Sequence, residues 1–192
     1  MTDNLYAPPQ ADLNAPHSEA DGRFYVVSKA KFFVLFICSL GLYQIYWSYK
    51  NWSQYKASTQ SDIWPVARGI FAIFFVHALY RNVEQSIQAS GRGYRWDASL
   101  WATLFVIVAV LSNVLETLVR KNIGGSLLVA LSTFWVFAQV FITWQGQQAI
   151  NFASGDPEGA GNAHFSPANY LVIVLGGIVW VFALIGIFAL LG

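Results

Sequence analysis

The sequence predicts an all-α integral membrane protein: a helical bundle of five hydrophobic segments, the second either crossing the bilayer or lying in its interface, behind a disordered N-terminal tail. Three observations predict it. Long apolar runs recur with few charges, and at 1.5 Å per helical residue about eighteen residues reach roughly 27 Å, close to the ~30 Å of bilayer hydrocarbon. Charged residues are 11% of the chain and aromatic residues 17%, against a usual charged share of about 25%. Six of the eight tryptophans fall near segment ends, where indole rings anchor at the membrane interface. A transmembrane β-barrel would need short segments alternating apolar and polar residues instead.

Residues 1–28 form a polar tail with Pro8, Pro9 and Pro16 and few apolar side chains. Such a stretch buries too little surface to offset its ordering entropy, so disorder is expected. It lacks the basic n-region of a cleaved signal peptide. Residues 29–192 are the expected transmembrane domain.

The first segment, 32–49, reads FFVLFICSLGLYQIYWSY between Lys31 and Lys50. Only Cys38, Ser39 and Gln44 interrupt it before its last turn, and Tyr43, Tyr46, Trp47 and Tyr49 make an interface belt. It reads as a span. Cys38 is the single cysteine, so no disulfide framework exists, and it reads as a packing residue.

The second segment, 63–80, starts behind Ser61 and Asp62 with Pro65 in its first turn, a position where proline's missing N–H costs nothing. Its charge-free core reaches only about 18 Å, and Arg68 and Arg81 would snorkel to opposite surfaces if it crosses. Segments 98–119, 123–144 and 168–191 are longer. Only Arg120, Lys121 and Asn122 separate the third from the fourth, which predicts an antiparallel hairpin. The loop 145–167 carries the turn-rich SGDPEGAGN. Five crossings would put six basic residues on the N-terminal side and Lys50, Lys56, Arg68, Arg120 and Lys121 on the other, a slight lean toward a cytoplasmic N-terminus and an external C-terminus.

Candidate chemistry is sparse. The three histidines, His17, His77 and His164, are scattered and no HExxH occurs, so no metal or other cofactor is expected. No nucleophile elbow or phosphate-binding glycine loop is present. A net charge of +1 gives no basis for a nucleic-acid partner. Polar residues inside apolar segments carry more information, because lipid makes them costly. His77, Arg81, Glu84 and Gln88 recur on one helix face. Glu116 and Arg120 have the favourable i,i+4 order for an ion pair, and Ser132, Gln139 and Thr143 share another face. His77, Arg81, Glu84, Glu116, Arg120 and Gln139 are therefore the candidate binding residues, with Glu116 the nearest carboxylate to name for His77. The pair Gly176-Gly177 offers either a helix break or a site of close packing.

The stretches SLGLYQIYWSYKNW (39–52), WPVARGIF (64–71) and WQGQQAIN (144–151) with the last segment resemble an uncharacterised family of bacterial inner-membrane proteins, a domain of unknown function whose first span carries Gly-Ile/Leu-Tyr-x-x-Tyr-Trp. The resemblance implies a multi-pass protein of the bacterial inner membrane and transfers no catalytic residue. The functional expectation is a non-enzymatic component of the lipid bilayer that packs with itself or with a membrane-protein partner. The alternative is a small transporter, channel component or lipid-binding protein that uses the polar stripes.

Overall fold

A computed structural model describes residues 22–191, and among them the chain is all-helical. The predicted tail lies outside the described residues up to position 21, but its last part does not behave as a tail. Phe24, Tyr25 and Val27 are core residues, and Val27 is fully buried. This non-helical segment leads into seven α-helices: α1 (Lys29–Cys38), α2 (Tyr43–Thr59), α3 (Pro65–Ile70), α4 (Ala72–Ala89), α5 (Ala98–Arg120), α6 (Gly125–Ala153) and α7 (Pro167–Leu191).

The three long helices match the third to fifth predicted segments, with α6 running nine residues past the expected end at Trp144. Asp97 caps α5 by accepting from the Leu100 N–H at 2.8 Å. The predicted turn is where it was expected: Asn122 takes the left-handed conformation (φ 56°) and the Ile123 N–H returns to the Leu118 carbonyl at 3.0 Å, closing α5 in a Schellman motif. Helices α5, α6 and α7 are each long and apolar enough to cross a membrane. They alternate in direction. The end where α5 starts, α6 stops and α7 starts is the near end; the α5–α6 turn lies at the far end.

The first predicted span is not one helix. Residues 32–49 are broken at 39–42, where Leu40 (φ 53°) and Gly41 (φ 89°) are both left-handed. The Gly41 N–H bonds to the Phe36 carbonyl at 2.9 Å and the Leu40 N–H to Ile37 at 3.0 Å, another Schellman closure. The chain then reverses. The Tyr25 N–H, just before α1, donates to the Asn51 side chain at 3.1 Å, and the Lys50 ammonium sits 5.9 Å from the Tyr25 ring centroid. Both ends of the α1–α2 hairpin therefore lie at the near end. Lys31 and Lys50 flank a reversal rather than a crossing.

The second predicted segment is also corrected. The helix expected over 63–80 breaks at Phe71 (φ −98°, ψ 39°) and its second piece runs on to Ala89. The short α3 folds back along α2. Lys56 donates to the Ile63 carbonyl at 2.8 Å, the Arg68 guanidinium stacks 4.2 Å from the Trp52 ring centroid, and Gly69 lies so near Tyr49 that a Cβ would meet its Cβ at 2.9 Å. Having packed on α2, the chain must turn to reach α5, and Phe71 is that turn. Helix α4 then packs between α5 and α6, its Tyr80 ring lying against Gly146, where any Cβ would collide with it.

Candidate functional site

The polar core lies at the near end and is built from amides. Gln147 and Asn151, one turn apart on α6, are fully buried. The Trp47 indole N–H donates to the Gln147 side-chain carbonyl. The Gln147 amide donates to the Tyr25 carbonyl at 2.9 Å and to Asn151 Oδ1 at 2.6 Å. Asn151 accepts from the Val27 N–H at 3.2 Å and donates to the Val27 carbonyl at 2.9 Å. The backbone of the segment before α1 thus finds its partners in side chains, as buried peptide groups must. Asn162 extends the same pattern, donating to the Val26 carbonyl at 2.9 Å, and the buried Lys31 ammonium donates to Asn162 Oδ1 at 2.6 Å and to the His164 carbonyl at 2.7 Å. Burial pushes the Lys31 pKa below the ordinary lysine value.

These are the motif residues of YQIYWSYKNW and WQGQQAIN. Trp47 and Asn51 sit one turn apart on α2, and Gln147 and Asn151 one turn apart on α6. Their spacing was the available signal; what it pointed to was a fastened core.

The cavity that can take a ligand lies deeper. Helices α5 and α7 both pack on α6 and make no contact with each other among the described residues. The α1–α2 hairpin fills the upper part of the space between them and stops at residues 39–42. Below its tip is a cleft of about 620 Å³. Ser112, Asn113 and Glu116 of α5 line one wall, Ser132, Thr133 and Gln139 of α6 the floor, and Gln44 and the Leu40–Gly41 backbone the roof. Gly41 is favoured here by its positive φ, and a Cβ would sit tightly, 3.0 Å from Gln139 Oε1.

Most of the hydroxyls and the Asn113 amide spend one bond on their own helix. Ser132 and Thr133 donate to the Val129 carbonyl at 2.8 and 2.9 Å, and Asn113 to Ala109 at 2.9 Å. Ser112 reaches Glu116 at 3.4 Å. The amides of Gln44 and Gln139 have no hydrogen-bond partner among the described residues. They are offered to the cleft.

Of the six candidate residues, Glu116 and Gln139 come together in this cleft and the other four do not line it. His77 faces α5 and meets Thr103 at 3.3 Å. Glu116 is thirteen residues farther along α5, about 20 Å away, so it cannot partner His77. Arg81 is exposed and Glu84 half-buried near the other end of α4, neither with a polar partner among the described residues. The expected Glu116–Arg120 ion pair is replaced by a bond from Arg120 to the Thr117 hydroxyl at 2.9 Å. Gly176-Gly177 does not break α7. Gly176 instead packs against the Cys38 carbonyl, where a Cβ would collide, so the interruption lies in the hairpin. Gln44 and Gly41 were missed because they sat inside a run taken as a continuous span.

Comparison with family models, with curated proteins and with solved structures gives no match.

Proposed function

We propose that the protein is a multi-pass protein of the bacterial inner membrane that binds a small, positively charged, hydrogen-bonding solute in the cleft beneath a re-entrant hairpin. The observation that carries this reading is the helix break at Leu40–Gly41 beside the Gln139 amide, which has no hydrogen-bond partner among the described residues. Helix α1 has ten residues and reaches about 15 Å, half the hydrocarbon thickness. Non-helical backbone at that depth is tolerated where it lines a wet or occupied cavity, and interrupted helices at mid-depth are a recurrent way of building solute sites in transporters. The cleft volume falls within the range of small-molecule pockets. Its lining offers one carboxylate, several amides and hydroxyls and no basic residue, which favours a cation. Its one hydroxyl–carboxylate contact, Ser112 to Glu116 at 3.4 Å, has no third group orienting the carboxylate among the described residues, which favours binding over covalent chemistry.

Sidedness follows from charge. With the hairpin reversed, Lys50, Lys56 and Arg68 join the near end, and nine of the eleven basic residues gather there, leaving Arg120 and Lys121 at the far end. The near end is then cytoplasmic and the cleft opens to the external side. The one-residue margin that five crossings would have given is replaced by a large one.

The test uses single cysteines at positions 113 and 139 in a Cys38→Ser background, with a membrane-impermeant maleimide added from the external side. Both positions label if the cleft is wet, and choline or another small ammonium compound slows labelling at 139 in a manner that Glu116→Gln abolishes. Silence at both positions would sink the reading.

A second reading, partner binding, has its own support. The α1–α2 turn and α3 leave Leu42 (69% exposed) on the surface beside Val66 and Ile70, and α4 leaves Phe74 (76% exposed), in a part of the fold that reaches only partway across. A membrane-protein partner or a second copy laid there would bury them. Crosslinking through position 74 tests it: adducts of defined mass support it, and lipid adducts alone dismiss it.

A further inference from the structure

A second cavity, about 600 Å³, lies on the opposite side of the hairpin tip from the polar cleft, and Leu40 and Leu42 border both. It runs between the hairpin and α7. Tyr46, Ser166 and Asn169 stand at its near-end mouth, Leu35, Val172 and Leu175 line its length, and the close approach of Gly176 to Cys38 helps to floor it before Val179. From the mouth inward it is almost wholly apolar.

We propose that this groove holds one acyl chain of an anionic glycerophospholipid drawn from the near-end leaflet. Length decides the occupant. From Asn169 to Val179 is ten helical residues, about 15 Å, which is one leaflet and half the ~30 Å that a partner's spanning helix would need. A lipid tail fits that depth and a transmembrane helix does not. Charge decides the headgroup. Lys50 lies one turn beyond Tyr46 on the same face of α2, held beside the Tyr25 ring, and the near end carries nearly all the basic residues of the chain. A phosphate at the mouth meets the Lys50 ammonium, the Tyr46 hydroxyl and the Ser166 hydroxyl, while a cationic or neutral headgroup gains less there. The occupant packs against Leu40 and Leu42 and so stiffens the roof of the polar cleft. The assignment stands whether or not the cleft binds a solute.

Native mass spectrometry of the detergent-purified protein tests it, with dioleoylphosphatidylglycerol and dioleoylphosphatidylcholine as probes. One phosphatidylglycerol is expected to bind at least tenfold more tightly than any further lipid. Val172→Trp, which fills the groove, and Val179→Trp, which blocks its floor, each reduce that first affinity at least tenfold. Val174→Trp, on the outer face of α7 where the native valine is 60% exposed, leaves it unchanged. Lys50→Gln narrows the preference over phosphatidylcholine several-fold while the tail still binds. The proposal is overturned if wild type retains no first lipid in preference to the rest, if the groove and outer-face tryptophans behave alike, or if Val172→Trp dissociates a dimer, which would give the groove to a second copy.

Discussion

Gln147 and Asn151 hydrogen-bond to each other through their side chains at 2.6 Å, and between them they serve the N–H of Val27 and the carbonyls of Tyr25 and Val27. Two carboxamides on successive turns of α6 thus take the place of a neighbouring strand. Every donor and acceptor of the pair is used, since Gln147 also accepts from Trp47 and Asn151 donates to the Pro157 carbonyl at 3.5 Å. A network satisfied in this way favours one arrangement of the chain, because any slip leaves buried groups unpaired.

Asn151→Leu should therefore be far more damaging than its size suggests. It strands the Val27 N–H and carbonyl in a dry core, at about 2–4 kcal/mol for the unpaired groups. Gln139→Leu, which removes an amide with no hydrogen-bond partner among the described residues, should change stability by roughly 0.5 kcal/mol or less. Thermal unfolding of both variants in one detergent compares them; equal losses would mean that the near-end amides are not what fastens the segment.

The two adjacent glycines of α7 should separate cleanly. Gly176→Ala pushes a Cβ into the Cys38 carbonyl and destabilises, by about 1–3 kcal/mol as overpacking usually does. Gly177 has open space around its Cβ direction, so Gly177→Ala gains about 0.5–1 kcal/mol from helix propensity. Melting temperatures that move the same way in both would contradict the packing of α7 on α1.

Gly146→Ala carries a similar collision, with the Tyr80 ring. Its loss should be recovered in part by Tyr80→Leu, which clears the space, so the double variant is more stable than the sum of the singles by about 1 kcal/mol or more. Additivity would show that the two residues do not meet.

The reversal of α1–α2 gives a topological outcome. Single cysteines at 29 and 56, in a Cys38→Ser background, should react with an impermeant reagent from the same side, and a cysteine at 121 from the other. Opposite-side labelling of 29 and 56 would restore a full crossing and return Lys50 and Lys56 to the far end.

Much of the fold could be read from the residues. The long helices α5, α6 and α7, the turn at residues 120–122 and the all-helical class follow from runs of apolar residues long enough for a lipid-sized helix. Part of the candidate cleft was legible too: Glu116 and Gln139 stood out as polar groups in apolar surroundings, and both line it. His77, Arg81, Glu84 and Arg120 stood out for the same reason and lie elsewhere, since a shared face on one helix does not say which neighbour that face meets.

What the sequence determined by itself was the environment of each residue; what the tertiary structure decided was the direction of the chain. Apolar side chains are needed equally by a helix that crosses and by a hairpin that enters and returns, so residues 32–49 are compatible with either. Gly41 was the local sign of a helix end, but it permits a reversal without compelling one. The reversal is fixed by partners more than a hundred residues away, Gln147 and Asn151, which hold the Tyr25–Val27 backbone, and by Trp47 reaching the same Gln147 from α2. Those bonds exist only once α6 is in place, and with them come the near-end position of Lys50 and Lys56 and the cleft below the hairpin.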